Sequence, residues 1–138
     1  REQLLLAVAG RHSARLPVPT PPSPGRTFEE RMTHFVATRV RVLEASAAVR
    51  RAAQRGAGDS KAITKALAET ARNRRTELLA SLGAELKRAP PWLVATADVL
   101  TSGAAWDALR HEQKLSPAAA EQVIVQALQR LVESNFKV

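Results

Sequence analysis

The chain has 138 residues, a length that suits one domain able to bury a real core. It holds no cysteine, which excludes disulfides, thiolate catalysis and cysteine-ligated zinc. Its formal charge is +8, with aromatic residues at only 4%. The arginines are spread over every helical stretch, and rings for base stacking are scarce, so the charge reads as solvated surface that attracts phosphates weakly and without sequence preference. Charges interrupt every apolar run well before membrane-spanning length and no leader pattern is visible, so a cytoplasmic protein is expected.

Residues 1–15 form a first short helical stretch with Leu4, Leu5 and Val8 on one side. It begins without a cap, as if continuing a longer helix. Residues 16–25 hold Pro17, Pro19, Pro21, Pro22 and Pro24, which forbid a helix and favour extended backbone, so this is a connector. Residues 26–138 are then the main domain.

Thr27 and Glu30 form a capping box. The helix they open is expected to run to about Gln54 and to stop at Gly56–Gly58. Asp59 or Ser60 caps the next helix, which reaches about Lys87 with a break near Gly83. Pro90 and Pro91 start a third, from Trp92 to about Gln113, apolar on nearly every side and hence expected to be buried. Ser116 caps the last helix, with Pro117 at its first position, where a missing N–H costs nothing. No stretch alternates as a strand does. The fold class is all-α: an antiparallel bundle of about five helices.

On a wheel of about 100° per residue, Ala120, Val123, Ile124, Ala127, Leu128, Leu131 and Val132 cover roughly 220° of the last helix. A monomer's surface helix needs a stripe only somewhat wider than about 100°. The excess implies a second buried face, and so a homodimer in which the last two helices of each chain make a four-helix bundle. Ala105, Leu109, Ala120, Val123, Ala127 and Leu131 are the expected interface. A central helix of a monomer is the competing reading.

No catalytic constellation is placed by spacing. His12, His34 and His111 lie far apart and none has a second histidine four residues on, so a helical zinc motif is unsupported and an enzyme is not expected. Two arginines stand out. Arg39 projects from the stripe Phe28, Met32, Phe35, Val36, Leu43, and Arg74 from the stripe Ile63, Leu67, Ala71, Leu78, Leu82. In a hairpin about the Gly56–Asp59 turn they reach similar depth. Buried charge must be compensated. Either Asp107 or Glu77 pairs with them, or they await an anionic ligand that guanidinium would hold bidentately, or they extend to solvent.

The stretch Ser102, Trp106, Leu109, Arg110, then Leu115, Ser116, then Ala127, Leu128, Leu131 resembles the effector-binding domain of TetR-type transcriptional regulators. Phe28–Met32, Val49–Ala52 and Leu67–Ala71 fall where that family carries its middle helices, and Arg1–Leu4 is similar to the segment after its DNA-reading domain. The likeness covers nearly the whole chain, but no segment from Arg1 onward reads as the family's helix-turn-helix. The resemblance implies a ligand-responsive regulator, usually a repressor, needing no cofactor or metal. This chain would supply effector binding and dimerisation, and DNA would be read by a domain outside it. It also implies an internal pocket, for which Phe35, Leu67, Thr70, Trp92, Thr96 and Val99 are the candidate lining, with Arg39 and Arg74 as a polar end preferring an anionic small molecule. A helical dimerisation or protein-interaction module without a ligand is the alternative.

Overall fold

The computed structural model describes residues 27–56, 58 and 60–136, and every regular element among them is helical. The expected helix at 1–15 and connector at 16–25 lie outside these residues. Helix α1 is Phe28–Ala45, α2 Ala47–Gly56, α3 Lys61–Lys87, α4 Pro91–Leu100 and α5 Gly103–Asp107. A π-helical turn, Ala108–Glu112, extends α5, and α6 is Pro117–Phe136. The chain is all-α, and no described helix is long and apolar enough to cross a membrane.

Local chemistry sets the helix starts. Thr27 Oγ1 accepts the Glu30 N–H at 3.1 Å, as the capping box requires. Ser60 Oγ accepts from Ile63 N at 3.1 Å, and Ser116 Oγ from Ala119 N at 3.2 Å ahead of Pro117. Gly83 breaks α3 internally with φ 58° and ψ −136°, a conformation that a side chain would strain.

Two expected helices are each interrupted. The Thr27–Gln54 run breaks at Ser46, whose Oγ donates back to Val42 O at 2.7 Å. Such back-bonding bends a helix. The Trp92–Gln113 run breaks at Thr101 and Ser102. Thr101 Oγ1 donates to Ala97 O at 2.9 Å, and Ser102, with extended ψ of 162°, caps α5 by accepting from Ala105 N at 3.2 Å. The π-helical turn closes with Gln113 N on Ala108 O at 2.9 Å, and the chain reverses through Lys114 at φ 56°.

One core joins these elements. Met32, Phe35, Val36, Val40 and Leu43 of α1 meet Leu78, Leu82 and Leu86 of α3, Leu93, Val94 and Ala97 of α4, Trp106 of α5, and Ala120, Ile124, Leu128 and Val132 of α6. Helix α1 is central, packing against α3, α5 and α6. Burying a large apolar side chain stabilises by about 1.5–3 kcal/mol, so these residues supply most of the drive to fold. The expected all-round burial of the Trp92 helix does not occur. Leu93 and Ala97 are inside, but Trp92 is 57% exposed and Val99 62% exposed, because α4 contacts neighbours on one side alone.

Candidate functional site

Three places carry unusual chemistry: the buried arginines, a cleft at one end of α1, and the outer face of the last helices.

Arg39 is 6% exposed in the middle of the α1 apolar face. Its Nη1 donates to Thr101 O at 3.2 Å, and its Nη2 to Arg74 O and Glu77 Oε2, both at 3.3 Å. The guanidinium carbon stacks 4.8 Å from the Phe35 ring centroid. Burial pulls the Arg39 pKa down, and Glu77 works against that shift. Arg74 approaches the same level but is held by Asp98, Nε to Oδ1 at 3.1 Å and Nη2 to Oδ2 at 3.3 Å. Of the two carboxylates named from sequence, Glu77 does pair with Arg39. Asp107 does not. It takes Arg50 Nη2 at 2.7 Å, because the Ser102 break changes the phase of the helix that carries it. Asp98 was missed, although it lies on the inner side of α4 beside Ala97.

Both arginines are therefore compensated within the fold, and neither presents a spare charge to an anion. The other expected pocket residues scatter. Phe35 is in the core and Leu67 is half-buried, while Thr70, Trp92, Thr96 and Val99 are exposed. The hydroxyls of Thr70 and Thr96 donate to their own helices, at Ala66 O and Trp92 O. They do not converge with Phe35 on one interior space.

A cleft of about 480 Å³ instead opens where the N-terminus of α1 meets the ends of α3 and α6. Phe28, Met32 and Val132 form its apolar floor, and Glu29, Glu85 and Glu133 stand around it. Gln129 Nε2 donates to Glu29 Oε1 at 3.2 Å across its mouth. Glu85 is tied through Oε1 to Arg31, which holds its pKa below the usual carboxylate value, while its buried Oε2 has no hydrogen-bond partner among the described residues. The volume falls in the range of small-molecule sites, roughly 300–1,000 Å³. Its charge is acidic, so its chemistry suits a ligand with an apolar body and a cationic or hydrogen-bond-donating group.

The last helices form the third place. Ala120, Ile124, Leu128 and Val132 turn into the chain's own core. Ala120 is 0% exposed, so it has no surface left for a second chain, contrary to its expected interface role. Val123 stays 42% exposed, with Ala127 and Leu131 half-buried on the same flank of α6. Ala105 and Leu109 are also half-buried. Beneath this face Trp106 is anchored by Nε1 donating to Glu44 Oε2 at 2.6 Å, and Arg110 clasps the same carboxylate through Nη2 at 2.8 Å. Arg110 also donates to Leu115 O at 2.7 Å, which fixes the reversal into α6.

Among the described residues no group of three histidine, aspartate or glutamate side chains could hold a metal ion. Compared with known proteins, the chain matches no family model, no curated protein and no solved structure.

Proposed function

We propose that this chain is the effector-binding and dimerisation part of a ligand-responsive transcriptional regulator of TetR type, acting as a repressor in the cytoplasm. Its helices would form an antiparallel bundle that pairs with a second copy through α4, α5 and α6. The observation that carries this reading is the exposed apolar surface. Among the described residues the large apolar side chains left in solvent are Trp92, Val99 and Val123, and all three sit on α4 and α6. Large apolar side chains left in solvent are what a protein interface covers. The resemblance in the Ser102–Leu131 stretch covers α5 and α6, and so shares α6 with that exposed surface.

In this reading the effector occupies the cleft at Phe28, Met32 and Val132 rather than the Arg39–Arg74 region, which is filled by internal ion pairs. The cleft joins α1, α3 and α6, so a ligand there touches both the core and the pairing helix. It would switch the protein by binding one dimer spacing more tightly than the other. DNA reading belongs to a part of the regulator outside the described helices.

The compensated arginines favour a second reading, a helical dimerisation module without a ligand. Sedimentation equilibrium at micromolar concentration, followed by thermal shift with a panel of cationic, neutral and acidic amphiphiles, separates the cases. A dimer stabilised by cationic amphiphiles supports the regulator. A dimer indifferent to the whole panel supports the module. A stable monomer overturns both.

A further inference from the structure

Part of the cationic charge that is spread along the sequence forms a row on one face of α3. Between Ala47 and Arg75 the sequence holds eight lysines and arginines against two carboxylates, Asp59 and Glu69. Arg50 and Arg74 are spent on Asp107 and Asp98. On α3, Lys61, Lys65, Arg72 and Arg75 recur at helical spacing and share an arc of roughly 80°. All four are exposed. None has a carboxylate within ion-pairing distance among the described residues. The row runs for roughly 21 Å along the helix, at about 1.5 Å per residue. At the α2 end of the same hairpin, Arg55 is exposed and Arg51 lies with Nη1 against His111 Nε2 at 3.0 Å, adding positive charge. Among the described residues Glu69, on the flank of the row, is the carboxylate beside it.

We propose that this outer face of α3 is a docking strip for the phosphate backbone of duplex nucleic acid, bound without sequence preference. Three observations favour that partner. A linear row of unpaired cations needs a linear, uniformly charged anion, and duplex DNA presents about one charge per 1.7 Å of axis. The face offers no rings or base-reading geometry, so it positions rather than specifies. A lipid surface would also attract the charge, but an interfacial membrane helix needs large apolar residues beside its cations. Here the residues alongside are Ala62, Thr64, Ala68 and Thr76, and the exposed large apolar side chains lie on other helices. The strip does not depend on the regulator reading. A chain with such a face would hold DNA loosely even where sequence recognition lies elsewhere.

The test is anisotropy of a labelled random duplex, titrated at several salt concentrations with the wild-type chain and three variants. Neutralising the strip (Lys61→Gln, Lys65→Gln, Arg72→Gln, Arg75→Gln) should lower the slope of log affinity against log salt by about 3 to 4, at roughly 0.9 per phosphate contact. Neutralising four other exposed cations (Arg41→Gln, Lys87→Gln, Arg88→Gln, Lys114→Gln) removes the same charge and should leave most of the slope. Arg72→Lys with Arg75→Lys keeps the charge and should bind as wild type. All strip positions are exposed, and helicity by circular dichroism confirms that each variant is folded. An equal loss in both neutralised variants would show that net charge alone acts, and would overturn the strip. Salt-independent binding, or capture by phosphatidylserine vesicles with no binding to duplex, would overturn it as well.

Discussion

Arg39 on α1 reaches across to Glu77 on α3, Nη2 to Oε2 at 3.3 Å, while its guanidinium stacks on Phe35 of its own helix. The two ends of this pair live in different media. The Arg39 side chain is 7% exposed and that of Glu77 is 46% exposed. Glu77 can therefore turn to water when its partner is removed. What cannot is Thr101 O, to which Arg39 donates in a buried bond, whereas Arg74 O lies within α3 and keeps its helical donor.

Replacing Arg39 is thus not the removal of one half of a fully buried ion pair, which typically costs about 3–5 kcal/mol. Arg39→Met should lower stability by about 1–3 kcal/mol, the range for leaving a buried acceptor, here Thr101 O, without its donor. Urea unfolding measures it. A larger loss would mean that Glu77 stays trapped; an increase in stability would mean that Thr101 O finds another donor.

Gly103 and Arg50 form a second dependency. A Cβ on Gly103 would stand 2.3 Å from Arg50 Nε. Arg50 cannot yield freely, because it holds Asp107, Leu43 O and Ser46 Oγ at once and so ties the Ser46 break to α5. Gly103→Ala should displace the guanidinium and destabilise by about 1–3 kcal/mol. A double-mutant cycle with Asp107→Asn checks the route. Strong coupling is expected, and additive losses would show that the alanine acts elsewhere.

The helix starts at Thr27, Ser60 and Ser116 are legible in the sequence because a cap is a local event: an oxygen and an N–H two or three residues apart. The burial of Arg39 is legible too, from its place between Phe35 and Leu43. The breaks at Ser46 and Ser102 are not read from apolar periodicity, which runs across both. Ser102 followed by Gly103 does carry a cap signal, and it outweighs the periodicity once Thr101 and Ser102 turn back on Ala97 and Val99. Pairing depends on that break. An unbroken helix would bring Asp107 to the arginines; the broken one sends it to Arg50 and leaves Arg74 to Asp98. The cleft at Phe28, Met32 and Val132 unites residues about a hundred positions apart, a distance that no local pattern spans.

Acid should weaken the fold through two carboxylates. Arg110, and then Trp106, hold Glu44 below its usual value near 4.5, and Arg31 does the same for Glu85. A carboxylate whose folded pKa lies below its unfolded one stabilises the fold fully above the unfolded value, and that contribution is lost as pH falls through the folded value. Stability should thus be level above about pH 5 and fall below the usual carboxylate range. Both groups are partly solvated, which keeps the effect modest. Urea melts from pH 7 to pH 3 should show a shallower acid limb for Glu44→Gln than for wild type. Parallel limbs would mean that Glu44 contributes nothing to acid sensitivity.

The proposed pairing of two chains through the last helices is best tested at Val123. Leu131→Arg should also dissociate the dimer, but Leu131 packs partly against the chain's own core, so that change disturbs the fold as well. Val123 is 42% exposed in the single chain and can accept a carboxylate there at little cost. In a desolvated seam the same carboxylate costs several kcal/mol, and two-fold symmetry places two of them in one interface. Val123→Glu should therefore weaken the dimer on the order of a hundredfold or more, at about 1.4 kcal/mol per tenfold. Its circular dichroism spectrum should match that of wild type. Sedimentation equilibrium decides the matter. A wild-type dimer that becomes a folded monomer in the variant places the seam at Val123, and a variant that stays dimeric at the wild-type affinity puts the interface elsewhere.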